Sequence, residues 1–470
     1  MAQSPLLERN LTSPLGLLTR DCCDFPLQNG PLHITANQFL AQAHFLSAQL
    51  PERKYFVNLV DNRYLFLLAM CAALLRGSTC LLPQNRTPKL REFIASHYPD
   101  AVTLHDDARA TREGMDLSML PLLAQSPSFG GEDIPQIADS QLAVICFTSG
   151  STGDPKPIRK TWRALRESSR INRRYFCSAR GETPVFHYAG VPQQHMWGLE
   201  TTVFLPLFSE VCTVDAHAAL PGDIMHQLAQ LPRPLTFIGT PLHLKSLQAL
   251  QRNSRQTGER DSIRLDRILC ATSPLDERLA ADVEEQFATE VHEIYGCSEI
   301  GSMAHRRTAR TAMWTRFHGI NFEDNASGST IASTAHLDDS VELGDRLELL
   351  DGEQFKLLGR GDDLIKVAGK RGSLGDVNKT LQRYEGLVDG VIFLPEFQHD
   401  AARLTAIVSL NSAGNREGLM RHLRENLDST FVPRPVYIVD KLPRQANGKL
   451  PKDTLLSLHN ALKAKAKTRN

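Results

Sequence analysis

Short apolar runs that alternate with segments of helical spacing constrain the fold of this 470-residue chain more than any other feature. Apolar runs that end in small or turn-forming residues predict buried strands at 55–61, 78–83, 142–150, 234–240, 266–273 and 290–296. Apolar residues three and four positions apart predict helices at 36–50 and 64–76. This alternation indicates an α/β fold with a largely parallel sheet, in which ligands bind beyond the carboxyl ends of the strands.

The length of the chain suggests two to three domains. From residue 345 onward, the pattern of apolar and charged residues differs from that of the preceding part of the chain. Residues 345–363 have the pattern of a β-hairpin with its turn at Asp351-Gly352, and a charged segment that contains glycine follows. We therefore predict a large N-terminal domain of largely parallel sheets and helices, residues 1–360. A small α+β C-terminal domain, residues 361–470, is predicted to follow it.

Charge and metal-binding residues exclude several classes of protein. The 53 Lys and Arg residues balance 53 Asp and Glu residues, so no global field directs the chain to nucleic acid or to an anionic membrane. The nine cysteines form no CxxC pair, so a reducing compartment fits best.

His292 and Glu293 lack the further histidine of a zinc helix, and we expect them on a strand surface. The N-terminus has no signal pattern and the longest apolar run, 64–75, is too short to cross a membrane, which predicts a cytoplasmic protein without a membrane span.

A loop rich in glycine and hydroxyl residues follows the predicted strand at 142–150. Glycines let a backbone approach an anion closely, hydroxyl groups can donate to phosphate oxygens, and a lysine can neutralise their charge. The spacing differs from that of the usual nucleotide-triphosphatase loop, because the lysine does not directly follow the second glycine. The residues that we expect to bind a polyphosphate are Thr148, Ser149, Gly150, Ser151, Thr152, Gly153 and Lys156.

The segment TSGSTGDPK, residues 148–156, resembles the signature loop of the adenylate-forming superfamily. That superfamily includes acyl-CoA synthetases, the adenylation domains of nonribosomal peptide synthetases, and firefly luciferase. Four further segments resemble its motifs in the right order, and together they cover residues from about 140 to 455. The resemblance implies an AMP-binding large domain, a mobile small domain, and ATP and Mg²⁺ as cofactors. It also implies a thiol acceptor, which is either coenzyme A or a phosphopantetheine arm.

The resemblance assigns residues of the large domain to the nucleotide and the metal. YGCSE, residues 295–299, resembles the YGxTE motif, which implies that Tyr295 lies near the adenine. Glu299 is the candidate ligand of Mg²⁺ and a candidate catalytic residue, since a carboxylate supplies the hard oxygen that this ion prefers. Ser273, in SPLDERL, matches the small-residue turn before an adenine-contacting helix. The same segment, with Asp276, also fits an ordinary helix cap.

The next matches concern the ribose and the hinge. Asp345, in LGD, and Arg360, in GRGDD, match the aspartate and arginine that hold the ribose hydroxyls in the family. By charge alone, each could equally form a surface ion pair. Asp362 matches the hinge residue about which the C-terminal domain rotates between an adenylating and a thioester-forming pose.

The remaining matches concern the thiol and the catalytic lysine. Gly369 and Arg371, in KVAGKR, match residues of the motif that lines the thiol tunnel. Lys449, in LPRQANGKLPK, matches the lysine that reaches into the active site. A point charge on a flexible stem can approach the carboxylate and the α-phosphate together while the mixed anhydride forms.

The segment HYAGVPQQHMWGLE, residues 187–200, resembles the gate of the acyl pocket, with His195 at its aromatic position and thus a candidate catalytic residue. A core or surface histidine with no gating role is the alternative. In relatives that activate amino acids, the next residue is typically an aspartate that pairs with the substrate ammonium, whereas this chain has Met196. A charged α-amine without a buried partner would be left unpaired at high cost. We therefore predict an aryl or fatty carboxylic acid without an α-ammonium group as the substrate.

Residues 159–180 carry eight Lys or Arg residues and a single acid, Glu167. Such a cluster usually forms a solvated helix face, but it could also dock an acidic acyl carrier protein. The sequence as a whole predicts an AMP-forming acid–thiol ligase, either an acyl-CoA or an acyl-carrier-protein synthetase. One alternative is a stand-alone amino-acid adenylation enzyme, which Met196 disfavours. The other is a nucleotide-binding protein without turnover, which would need neither Glu299 nor Lys449.

Overall fold

Thirteen ranges of the chain are described in the computed structural model: residues 2–19, 31–107, 114–118, 134–149, 155–177, 184–215, 220–257, 263–325, 329–360, 364–367, 370–395, 403–445 and 448–467. They belong to two units. The first unit comprises Met1–Thr311, Arg316–Ile320 and Ser333–Ser340, and the second comprises Ala312–Thr315, Asn321–Ala332 and Val341–Asn470. The domain boundary between residues 360 and 361 stays a prediction.

Helices and strands alternate along most of the chain. The helices are α1 (Ala36–Gln49), α2 (Arg63–Leu75), α3 (Pro88–His97), α4 (Trp162–Phe176), α5 (Met196–Leu199), α6 (Pro221–Gln230), α7 (Pro241–Thr257), α8 (Glu277–Phe287), α9 (Leu374–Gln382), α10 (Arg416–Asn426) and α11 (Lys452–Lys467). The strands are β1 (Gln3–Pro5), β2 (Pro14–Leu18), β3 (Leu32–Thr35), β4 (Tyr55–Asn58), β5 (Thr79–Leu82), β6 (Val102–His105), β7 (Met115–Asp116), β8 (Gln136–Ala138), β9 (Leu142–Ser149), β10 (Pro155–Thr161), β11 (Val185–Ala189), β12 (Val211–Val214), β13 (Leu235–Gly239), β14 (Arg267–Cys270), β15 (Val291–Cys297), β16 (Gly301–Arg306), β17 (Trp314–Arg316), β18 (Ile320–Asp324), β19 (Thr330–Thr334), β20 (Val341–Glu342), β21 (Asp345–Leu349), β22 (Gln354–Arg360), β23 (Leu364–Val367), β24 (Lys370–Ser373), β25 (Leu387–Phe393), β26 (Thr405–Leu410) and β27 (Val436–Ile438).

Two largely parallel sheets organise the first unit. One sheet has the order β10-β9-β5-β4-β6-β7, in which only β10 runs antiparallel to its neighbour. The strands of the other sheet that lie in the first unit have the order β16-β15-β14-β13-β11-β12-β2-β3, and among them only the β15–β16 and β2–β3 pairs are antiparallel. The predicted α/β fold class is confirmed, and each of the predicted strands and helices is present.

Helix α2 shows why the first unit needs so many apolar residues. Its side chains are buried from Arg63 to Leu74, because the helix packs against β4 and β5 of one sheet and against β12 of the other. A helix covered on every side is apolar all round rather than amphipathic. The Asn62 side chain caps its first turn by accepting the backbone N–H of Leu65 at 3.1 Å.

The second unit contains short antiparallel elements and a small core. Strands β21 and β22 form the predicted hairpin, whose turn passes through Gly352 with φ of +77°, a backbone conformation that favours glycine. Strand β17 pairs with β22. A three-stranded sheet, β25-β26-β27, packs with α9 and α10 around a core that includes Val377, Leu381 and Leu419.

Within the described part of the chain, none of the helices combines the length and apolar character that a membrane crossing requires.

Candidate functional site for a nucleotide and magnesium

The predicted phosphate loop joins β9 to β10. Strand β9 ends at Ser149, and the antiparallel register of the two strands places Lys156 opposite Thr148. Thr148 and Ser149 therefore stand at the carboxyl end of a strand that is parallel to β5, where α/β folds bind ligands. The other predicted loop residues, Gly150, Ser151, Thr152 and Gly153, lie outside the described residues.

The loop lysine and the candidate magnesium ligand meet in the first unit. Lys156 Nζ lies 3.6 Å from Glu299 Oε1, and the two side chains are 64% and 33% exposed. An ion pair this exposed contributes little to stability. The pair therefore marks a place where a cation and a carboxylate are both available to a ligand.

A single carboxylate is compatible with magnesium at this place. Among the residues that the structure describes, no three His, Cys, Asp or Glu side chains converge as a metal cage. Mg²⁺ usually keeps several waters and binds through one or two carboxylates together with substrate phosphates, so it does not require such a cage. The partly exposed carboxylate of Glu299 beside the phosphate loop fits that mode of binding.

Lys160 is a residue of this site that sequence reasoning counted only as part of a basic cluster. Its side chain is buried, with 3% exposed, and Nζ donates to the backbone carbonyl of Glu299. Burial lowers the pKa of Lys160, while neighbouring groups that include Glu200 and Glu299 oppose the shift. Strand alternation was the available signal, because Lys160 lies two residues after the buried Ile158 and thus on the same face of β10.

Glu200 is a second buried charge that the sequence did not single out. It begins the π-helical turn Glu200–Phe204, and its carboxylate is buried, with 4% of the residue exposed. The carboxylate accepts hydrogen bonds from Ser168 Oγ at 2.9 Å and from Asn172 Nδ2 at 3.2 Å on α4. It also accepts from Ser302, through the backbone N–H at 3.1 Å and Oγ at 2.8 Å. Several donors thus satisfy this buried carboxylate.

The expectation that His292 and Glu293 both lie on a strand surface is wrong for Glu293, which is buried. His292 is partly exposed, but Glu293 is buried and its Oε2 accepts from Arg306 Nε at 2.7 Å on the adjacent strand. The other oxygen accepts the backbone N–H of Leu275 at 2.9 Å. The carboxylate is buried because these donors satisfy it, and it ties the turn after β14 to β15.

The turn that holds Ser273 follows β14. Ser273 is exposed, and it is Asp276 that caps α8, by accepting from the backbone N–H groups of Arg278 and Leu279 at 3.0 and 3.1 Å. The helix-cap interpretation therefore applies to Asp276, which leaves Ser273 available to a ligand. Thr272, just before it, has φ of +86°, which is unusual for a β-branched residue. Backbone outliers of this kind cluster at functional sites.

Tyr295 and His195 both lie in buried surroundings of the first unit. Tyr295 is part of β15, which continues to Cys297, so only the last two residues of YGCSE leave the strand. His195 precedes α5, where Met196 is also buried. The α5 segment packs at the carboxyl end of β13, since Trp197 Nε1 donates to the Gly239 carbonyl at 3.2 Å.

The second unit holds the other predicted site residues. Asp345 and Arg360 are cross-strand partners in the β21–β22 hairpin, so the backbone brings the two predicted ribose ligands side by side. Arg371 pairs with Lys366 in the β23–β24 ladder. Asp362 and Gly369 lie outside the described residues.

Lys449 is exposed and ends a tight turn of the second unit. The turn is closed by hydrogen bonds from the Gly448 N–H to the Gln445 carbonyl and from the Gln445 N–H to the Lys449 carbonyl, each of 2.8 Å. Arg444 anchors it by donating to the Gly448 carbonyl at 3.0 Å and, in a bidentate pair, to Asp389 at 2.7 and 2.8 Å. Sequence reasoning missed this anchor, because Asp389 lies far from the lysine motif along the chain.

Sequence comparison finds relatives that activate acids. The model of the AMP-binding enzyme family matches residues 49–324. A 4-coumarate–CoA ligase of Halorhodospira halophila is 26% identical over 314 residues, which cover 64% of this chain and 73% of the relative. A 3,4-dihydroxybenzoate–[aryl-carrier protein] ligase of Bacillus anthracis is 22% identical and covers 67% of this chain and 73% of the relative. The chain spans only 16% of the isonitrile lipopeptide synthase of Mycobacterium tuberculosis, at 24% identity.

Solved structures share the fold at low sequence identity. The anthranilate CoA ligase AuaEII in complex with anthranoyl-AMP has a TM-score of 0.73 and 15% identity, and the match covers 93% of each chain. The o-succinylbenzoate coenzyme A synthetase of Bacillus subtilis in complex with ATP and magnesium has a TM-score of 0.72 and 15% identity, over 90% of this chain and 94% of the other. Because the family model spans more than half of the sequence, this chain belongs to the AMP-binding enzyme family, as the resemblance of its loop predicts.

Proposed function

We propose that this protein activates a small carboxylic acid as an acyl-AMP and then transfers the acyl group to a thiol. It is an AMP-forming acid–thiol ligase. The observation that carries the proposal is the 3.6 Å approach of Lys156 to Glu299. A cation for the phosphates and a carboxylate for Mg²⁺ at one place are what a site for MgATP requires.

The reaction proceeds in two displacements. In the first, a carboxylate oxygen of the acid attacks the α-phosphorus of ATP, the acyl–phosphate bond forms, and pyrophosphate leaves with the electrons of the broken bond. In the second, a thiolate attacks the acyl carbon and AMP leaves. The protein contributes mainly by positioning the reactants and by stabilising the charge that develops on the phosphate oxygens.

Residues of the first unit are proposed to bind the triphosphate, the Mg²⁺ ion and the adenine of ATP. Lys156 and the hydroxyl groups of the phosphate loop bind phosphate oxygens, and Glu299 supplies a carboxylate oxygen to Mg²⁺. The ion, when bound, neutralises part of the charge of the triphosphate. Tyr295 and the exposed turn at Ser273 are proposed to contact the adenine, since both lie at the carboxyl ends of neighbouring parallel strands.

Residues of the second unit are proposed to hold the ribose and to complete the reaction. Asp345 accepts from ribose hydroxyls and Arg360 donates to them, a division of roles that their cross-strand pairing favours. Lys449 contributes its charge to the carboxylate and the α-phosphate. Asp362 acts as the hinge. Gly369 and Arg371 are proposed to serve the thiol-transfer step.

An aryl acid is the substrate that we favour. Met196 is buried beside His195, the proposed gate, at the position where an ammonium-binding aspartate would be required for an amino acid. A buried methionine offers an apolar surface and no charge to a substrate. The named relatives act on 4-coumarate and on 3,4-dihydroxybenzoate, both aryl acids.

Either coenzyme A or a carrier-protein arm is compatible with the site as the thiol acceptor. Part of the predicted basic cluster is already paired within the chain, since Arg166 contacts Asp139 and Arg170 contacts Glu8. Arg173 and Arg174 are exposed on α4. We propose that an acidic carrier protein, if it is the acceptor, docks on these two exposed arginines rather than on the whole cluster.

Acid-dependent release of pyrophosphate tests the proposed function. The assay uses MgATP with panels of aryl, fatty and amino acids. We expect release with an aryl acid, and we expect Lys449→Ala to reduce it by about 100-fold. Lys463→Ala, which removes an exposed lysine of α11, is the matched control and should leave the rate unchanged. Release with amino acids alone would favour the amino-acid adenylation alternative, and ATP binding without release with any acid would favour a nucleotide-binding protein.

A further inference from the structure

We propose that Lys160 and Glu200 are positioning residues that bind the two ends of the segment Glu299–Ser302 and thereby fix the Glu299 carboxylate for Mg²⁺. The inference rests on the proposed function, because it takes Glu299 to be the magnesium ligand. This segment comprises the last two residues of the turn after β15 and the first two residues of β16, and Glu299 therefore lies outside the regular hydrogen bonding of the strand that precedes it.

Lys160 holds the first end of the segment. Its Nζ donates to the backbone carbonyl of Glu299 from β10, the strand that returns from the phosphate loop. Lys156, at the beginning of the same strand, lies 3.6 Å from the carboxylate of that residue. One strand thus contacts both the backbone and the side chain of Glu299, which couples the position of the carboxylate to the position of the loop.

Glu200 holds the other end of the segment, at the beginning of β16. Its carboxylate accepts the backbone N–H of Ser302 at 3.1 Å and the Ser302 hydroxyl at 2.8 Å. Ser168 and Asn172 donate to it from α4, so the carboxylate is itself fixed in orientation. Gly301 has φ of +104°, and a Cβ at that position would overlap the carboxylate of Glu200. Backbone conformation and side-chain position therefore depend on each other at this turn.

Stability alone does not account for this pair of buried charges. Removing an ammonium and a carboxylate from water is costly, and apolar residues of similar volume often stabilise a protein as well or better. Both groups instead bind the segment that contains Glu299: Lys160 donates to the Glu299 carbonyl, and Glu200, besides its donors on α4, accepts from Ser302. Mutation of residues that orient a metal ligand in this way typically lowers the metal affinity by about 10- to 100-fold.

The test measures binding of ATP to the full chain by calorimetry, with Mg²⁺ and with excess chelator. Lys160→Met removes the donor and keeps an unbranched side chain, and Glu200→Gln keeps the shape without the charge. We expect each variant to weaken the Mg²⁺-dependent part of ATP binding by about 10- to 100-fold and to change binding of metal-free ATP little. Arg159→Ala is the matched control, because Arg159 is exposed and neighbours Lys160 on β10.

Reference variants separate the possible failures. Glu299→Gln should abolish the Mg²⁺-dependent gain, and if it does not, the proposed metal ligand is wrong. If Glu299→Gln has this effect while Lys160→Met and Glu200→Gln do not, the positioning inference alone is overturned. An equal loss of metal-free and metal-bound ATP would also overturn it. Ser302→Ala, which removes one hydroxyl donor to Glu200, replaces any variant that fails to show a native melting transition, and it should weaken Mg²⁺-dependent binding in the same direction.

Discussion

Replacing Gly301 by alanine should destabilise the first unit strongly. The residue has φ of +104°, a region that costs a residue with a Cβ about 1–2 kcal/mol. A Cβ there would also overlap Glu200 Oε1 and lie 3.1 Å from the carboxyl carbon. Displacing the carboxylate would break its bonds to Ser302, and hydrogen bonds to a charged group contribute about 1.5–3 kcal/mol. With one of these bonds counted, the expected loss in unfolding free energy is therefore about 2.5–5 kcal/mol.

Urea denaturation followed by tryptophan fluorescence measures this loss. Trp162 and Trp197 are buried in the first unit and report its unfolding, whereas Trp314 belongs to the second unit. Gly222→Ala is the matched control, because a Cβ at this helical position meets no atom within 4 Å, and it should stabilise by about 0.5–1 kcal/mol. A change of less than about 1 kcal/mol in Gly301→Ala would refute the argument that the turn and the buried carboxylate depend on each other.

Three further outcomes follow from the same structure. Thr272→Gly should raise the unfolding free energy by about 1 kcal/mol in urea denaturation, because it relieves the strain of φ +86°; a destabilised variant would contradict this reasoning. Asp389→Asn should lower the rate of pyrophosphate release without changing the KM for ATP, because it weakens the pairing that holds Arg444 against the Gly448 carbonyl, next to Lys449. An unchanged rate would show that Arg444 does not position the lysine. Burial lowers the pKa of His187 to about 4, so folding favours its neutral form. The contribution of this residue to stability should be complete above pH 6.5 and should be lost as the pH drops toward 4. His187→Gln should therefore make the decline of the unfolding free energy with falling pH less steep, as measured by urea denaturation at each pH, and an unchanged slope would contradict this reasoning.

The buried and the exposed ion pairs of the first unit have different consequences for these experiments. Lys156 and Glu299 form a partly exposed pair, and its loss should change ligand binding more than stability. Arg306 and Glu293 form a pair whose carboxylate is buried, so removal of the arginine alone leaves a charge without its main partner. Stability measurements on variants of the two pairs therefore distinguish residues that serve a ligand from residues that hold the fold.

Residues whose role depends on local pattern could be predicted from the sequence. Strand β9 and helix α2 follow from the pattern of apolar residues, and the hairpin turn at Gly352 follows from its residue types. The resemblance of short motifs predicts Lys156 and Glu299 as residues of one site, and the structure places their side chains 3.6 Å apart. These are features that a few consecutive residues specify, because a hydrogen-bonded turn or a buried strand needs a definite local composition.

The sequence by itself therefore determined the α/β class and the family, and it predicts the residues that would bear the chemistry of adenylation. Tertiary structure alone decided which groups the buried charges bind, as Lys160, Glu200 and Glu293 show. Lys160 belongs by sequence to a basic cluster, and only the packing of β10 against the Glu299 turn makes it a buried donor. The physical reason is that the cost of burying a charge depends on donors and acceptors supplied by residues far away in the chain, and local composition carries no record of them.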